Sequence, residues 1–100
     1  MATTTKALVR AAAATSSTTL YTVPSSTTTV VTNIVVTNSA GTAGTFTITL
    51  DAVDLFKDVA IAANTTAMFD LKQVLATTKI IAGLASATTV RFHISGVEIA

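Results

Sequence analysis

Residues 45–50 read Thr45-Phe46-Thr47-Ile48-Thr49-Leu50, an alternation without a fault. Phe46, Ile48 and Leu50 fall on one side and three threonines on the other, at 180° per residue. An amphipathic helix would instead need apolar residues three and four apart, so this stretch is a half-buried strand. Working outward, residues 28–38 are rich in Val, Ile and Thr. Val30, Ile34 and Val36 are expected on one face, with Val31, Asn33 and Val35 on the other, which suits a strand covered on both sides. The intervening Ser39-Ala40-Gly41-Thr42-Ala43-Gly44 reads as a hairpin loop. Residues 55–61 and 65–71 read as a second hairpin joined near Ala63-Asn64, and residues 72–76 as a single helical turn.

Two further strands are expected at residues 78–82 and 89–94. In the second, Val90, Phe92 and Ile94 point in while Arg91, His93 and Ser95 point out. Gly96 is expected to mark a bulge or bend before Val97-Glu98-Ile99. Upstream, Leu20-Tyr21-Thr22-Val23 is a strand stopped by Pro24-Ser25-Ser26, since proline cannot donate to a ladder and pre-sets a turn. Strands with turn signals every 8–12 residues or so indicate a sandwich rather than a βαβ fold. The expected fold is all-β: a compact antiparallel β-sandwich or jelly roll of about eight short strands. Residues 1–18 read as a flexible Thr/Ala/Ser-rich N-terminal arm, with one short strand at residues 6–10, and residues 19–100 as the sandwich domain.

Composition narrows the function. Of 100 residues, 22 are Thr and 18 Ala, while only 11% are charged and none is Cys. An ordinary soluble domain carries about 25% charged residues. Zero cysteines exclude a disulfide scaffold, a thiolate zinc site, an iron–sulfur centre and a cysteine nucleophile. A formal net charge of +1 offers no electrostatic footprint for nucleic acid or an anionic membrane. The 40 residues between Arg10 and Asp51 carry no charge, but Ser, Thr, Asn, Pro24 and two glycines interrupt every window long enough to be a spanning helix. Arg10 likewise breaks the one apolar run resembling a secretory signal, so no signal peptide is expected.

No catalytic, cofactor-binding or metal-binding residue is assigned. His93 is the only imidazole, and with no thiolate partner it reads as a surface or interface residue. Asp51, Asp54, Asp58 and Asp70 match no calcium-loop spacing, and Asp51 and Asp54 suit a turn. The run from Gly41 to Gly44 is too short for a phosphate loop and lacks its lysine. Asn64-Thr65-Thr66 fits a glycosylation sequon that chance explains in so threonine-rich a chain. No base is placed to activate a Ser or Thr hydroxyl. The chain reads as non-enzymatic.

The scarcity of charge points to assembly. Solvated monomers keep about 25–35% charged residues on their surface, whereas interface cores are depleted of them. A homo-oligomer or a larger lattice is therefore expected, and an extended arm can add a strand to a neighbour's sheet edge.

Leu20-Tyr21-Thr22-Val23-Pro24, the Val-rich strand from Thr29 to Asn38, and the ending Ile94-Ser95-Gly96-Val97-Glu98-Ile99 together resemble small virion proteins of tailed bacteriophages. The resemblance covers about residues 18–100 and is one of composition and strand layout. It implies a virion β-sandwich that decorates or cements the capsid, often as a trimer where capsomers meet, with the major capsid protein as partner. A head-fibre, neck or tail protein is the alternative within the same resemblance. A carbohydrate- or host-surface-binding module is the alternative outside it, disfavoured because Tyr21 is the only Tyr and the four Phe read mostly as core. The absence of Cys agrees with assembly in a bacterial cytoplasm.

Overall fold

The alternating stretch forms strand β4 (Gly44–Leu50), with Phe46, Ile48 and Leu50 buried as the pattern requires. The computed structural model describes residues 2–100; Met1, the first residue of the expected arm, lies outside them. The other strands among the described residues are β1 (Thr3–Ala12), β2 (Thr18–Thr22), β3 (Thr28–Asn38), β5 (Val53–Ile61), β6 (Thr65–Leu75), β7 (Ile80–Ala85) and β8 (Val90–Ile99). They form two four-stranded antiparallel sheets, one ordered β1-β8-β3-β6 and the other β2-β7-β4-β5. The all-β sandwich is thus observed.

The core lies where the inner faces meet. Phe92, Ile94, Ile34 and Val36 from the first sheet pack against Phe46, Ile48 and Ile81 from the second, all essentially inaccessible. The Phe46 and Phe92 rings meet edge to face at 6.2 Å. Phe56 and Phe69, half-buried on the edge strands β5 and β6, stack on one another at 4.6 Å and close that side. The Phe92 ring needs room on β7, which Gly83 supplies: a Cβ there would sit 3.2 Å from Phe92 Cε2 and 3.1 Å from the Thr47 carbonyl oxygen.

Several expectations are corrected by the pairing. Residues 39–44 do not close a hairpin, because β3 and β4 belong to different sheets. Nor do β5 and β6 pair: β5 lies on β4 and β6 on β3. Alternation identifies a strand but carries no information about its partner. One two-residue hairpin exists among the described residues, β4 to β5 through Asp51 and Ala52, whose φ values of 54° and 62° are both positive. That is the conformation whose twist matches the flanking strands.

The supposed arm is also part of the sandwich. β1 pairs along β8 from Thr3↔Ile99 to Ala12↔Arg91, with Leu8 and Val9 in the core. The Ala-rich connector is tied down as well: the Ala13 N–H donates to the Val90 carbonyl at 2.8 Å and Ala13 is buried. Small side chains let this segment lie flat against its neighbours, where low complexity alone suggests disorder. Residues 72–75 extend β6 rather than turning helically, since Gln73, Val74 and Leu75 pair with Val31, Val30 and Thr29.

An irregularity is present near Gly96, but on its neighbours. β1 carries an extra residue at Leu8 and β3 at Thr32, each opposite the Ser95–Gly96 region of a continuous β8. A side chain on Gly96 would lie 2.3 Å from the Val30 carbonyl oxygen, so the bulged strands close onto a backbone only glycine leaves open. The Thr32 bulge inverts the facing of β3. Thr29 and Val31 are buried before it and Ile34, Val36 and Asn38 after it, so Val30 joins the outer face and Val31 the core, the reverse of the alternation expected.

Candidate interaction surface

The outer face of the first sheet can be written as rows across β1, β8, β3 and β6. One row runs Arg10, His93, Val35, Met68. The next runs Ala7, Ser95, Asn33, Asp70, and a third Thr5, Val97, Val30, Val74. Met68 and Val74 are 76% and 67% exposed, and both stand on β6, the edge strand. Val30, Val35 and Val97 are partly buried beside them. A sheet face with valine at its centre and its charges, Arg10, Arg91, Asp70 and Lys72, set towards its edges has the layout of an interface, an apolar middle within a polar rim.

The residues singled out in the sequence do not converge. His93 sits half-buried on this face between Arg10 and Val35. Asp51 occupies the β4–β5 turn beside Lys79, at 3.6 Å, and Asp54 pairs opposite Thr49. Asp58 forms a bulge in β5 where φ is 47°, its N–H donating to Thr47 Oγ1 at 3.0 Å. Asp70 belongs to the other sheet. Among the described residues no three His, Asp or Glu side chains lie close enough to hold a metal ion. The loop at Gly41 is open, and Asn64 is a turn residue with φ of 50° between β5 and β6. A shallow concavity of about 400 Å³ is lined by Thr32, Asp70, Leu71 and Lys72. It lies where β6 carries an extra residue relative to β3.

Two polar clusters went unread in the sequence. At the β1/β2 side the Tyr21 hydroxyl donates to Glu98 Oε2 and shares a 2.9 Å hydrogen bond with the buried Thr29 hydroxyl. Lys6 Nζ stands 3.5 Å from Glu98 Oε1. The cluster joins β2 of one sheet to β1, β3 and β8 of the other. Burial, and secondarily the Glu98 carboxylate, hold the Tyr21 phenol above its ordinary pKa. A lone Tyr and a lone Glu in a charge-poor chain were the available signal, but they lie 77 residues apart.

At the opposite end the buried Asn38 amide donates to the carbonyls of Thr42 at 2.9 Å and Ala62 at 3.3 Å. Its oxygen accepts from the Ala40 N–H at 3.1 Å and lies 3.5 Å from the Thr89 hydroxyl. One side chain thereby gathers three sheet-crossing loops. Both clusters fix the sandwich and leave the outer faces free for contact.

No family model and no curated protein matches the chain. Among solved structures, the chain is similar to a crystal structure of a pentameric capsid protein isolated from metagenomic phage sequences, at 18% identity and a TM-score of 0.42. A second crystal structure of a pentameric capsid protein from metagenomic phage sequences, solved by iodide phasing, gives 18% and 0.40. The alignments cover 90% of this chain and 59% and 60% of those chains, so it spans about three fifths of their length.

Proposed function

We propose that the chain is a non-enzymatic structural protein of a bacteriophage virion, and specifically that it decorates the assembled head and stabilises it through contacts between copies and with the shell. The observation that carries this reading is the outer face just described: a four-stranded sheet with a valine-centred surface and its charges at the edges. The strand order β1-β8-β3-β6 over β2-β7-β4-β5, with the chain changing sheets at every connection but one, supports reading the sandwich as an eight-stranded jelly roll. Viral capsid domains, lectins and cupins share that architecture. Fold alone does not choose among them.

The side chains favour the first. Carbohydrate recognition uses exposed aromatic platforms, whereas here Phe46 and Phe92 are buried and the Tyr21 hydroxyl is occupied by Glu98 and Thr29. A metal site inside the sandwich would need inward imidazoles, and the single His lies on the outer face. The sequence resemblance to small phage virion proteins points the same way, and the trimeric state it implies belongs to the proposal.

The physical effect is mass action. A protein that binds only the assembled shell stabilises it by about 2.7 kcal/mol per site at a hundredfold excess over Kd. The test uses heads of the encoding phage assembled without this protein. Purified chain is expected to co-sediment with them saturably and to raise the temperature at which they release DNA. Absence of binding would refute the proposal.

A further inference from the structure

Strand β6 forms a free edge of the first sheet, and its exposed positions are self-complementary. Met68, Asp70, Lys72 and Val74 alternate along it and are all exposed, spanning about 20 Å across the point at Leu71 and Lys72 where β6 carries an extra residue relative to β3. Among the described residues neither Asp70 nor Lys72 makes an ion pair. Pairing two antiparallel copies about Leu71 sets Asp70 against Lys72 of the second copy and Met68 against its Val74. Two Asp70–Lys72 pairs then form across the contact, and the two most apolar exposed side chains of the strand cover each other.

Neighbouring registers fail. A slip by one residue puts the exposed side of one copy with the inner side of the other. Centring on Asp70 or on Lys72 sets like charges face to face, and centring on Phe69 sets Met68 against Asp70.

We infer that β6 is a homotypic docking edge, through which two copies join antiparallel about Leu71 into one continuous eight-stranded sheet. The partner is a second copy of this chain because the complementarity is between the strand and itself, as an isologous two-fold contact requires. Backbone groups on the open edge supply affinity, and the Asp70–Lys72 alternation supplies register. A lone lysine on an edge ordinarily blunts it against such pairing. Here the aspartate two residues earlier cancels that protection in a single register. The inference rests on the virion reading only in expecting copies to meet copies.

The test is the solution mass by light scattering across a concentration series, for the wild type, Asp70→Lys, Lys72→Asp and the double swap. The wild type is expected as a dimer, or as a hexamer in which the β6 edge joins two of the proposed trimers. Each single reversal creates two like-charge pairs per interface and should lower the mass to half or shift dissociation at least tenfold higher in concentration. The double swap should restore the wild-type mass. A wild type that stays monomeric overturns the inference while leaving the head-binding test to decide the virion reading. A wild-type oligomer indifferent to either reversal, or a double swap that fails to restore, overturns the β6 register and leaves self-association standing. If a reversed variant loses its fold by circular dichroism, the exposed pair Met68→Thr with Val74→Thr replaces it. The same fall in mass is then expected, and an unchanged mass overturns the register.

Discussion

At Phe92 the ring lies over Gly83 and against Phe46. Truncation to alanine removes the centre of the core without room for collapse, so Phe92→Ala is expected to cost about 3–5 kcal/mol. Urea titration measures this, and a loss below about 1 kcal/mol would mean that the inward facing of β8 is wrong. Tyr21 makes a different prediction. Its phenol ionises at a higher pH in the folded chain than the ordinary value of about 10. The unfolded chain therefore loses its proton first. The stability contributed by this group is complete below about pH 10 and is lost as pH rises from there through the folded pKa. Because Tyr21 is the only Tyr, Tyr21→Phe removes that dependence cleanly. The Tm of the wild type should fall more steeply above about pH 10 than that of Tyr21→Phe, and parallel curves would count against a buried phenol. The inward facing of residues 46, 48, 50, 90, 92 and 94 was legible from alternation alone. Val30 and Val31 were not, because the extra residue at Thr32 reverses the alternation and leaves no mark in residue type.

Among the elements, β1 departs most from what its composition suggests. A run of Thr and Ala with one apolar trio looks like a loose tail, yet Leu8 and Val9 enter the core and the backbone fills the edge of β8. Deleting residues 1–12 is accordingly expected to lower Tm sharply, or to leave insoluble protein, since it strips β8 of a neighbour and opens a long edge. A truncated chain with the Tm of the wild type would show that β1 is dispensable, as a detachable arm would be. The end of β6 was misread for a related reason. Lys72, Gln73, Val74 and Leu75 include good helix formers, but propensity is a weak prior beside a ladder to β3. Turn chemistry was legible where it is local, as at Pro24-Ser25-Ser26, where Ser26 has φ of 56°. It was misleading where Gly41 and Gly44 suggested a hairpin and the chain instead changes sheets.

For the whole molecule, a sandwich was readable and its winding was not, because periodicity assigns a residue to a face without naming the strand opposite. The contacts that set the winding are distant in sequence, such as Tyr21 with Glu98 and Asn38 with Ala62. The surface was legible in outline: 11% charge left little to cover two outer faces. The structure locates the consequence, an outer sheet face with Val30, Val35 and Val97 at its centre and Met68 and Val74 at its rim. On the proposed virion reading, burial of that face against a lattice is what lets a domain this small forgo the charges that keep monomers apart. The most direct measurement is sedimentation of the purified chain with heads assembled without it. Binding that saturates at a fixed number of copies per head is expected, and a chain that stays in the supernatant at every concentration would contradict a role in the virion.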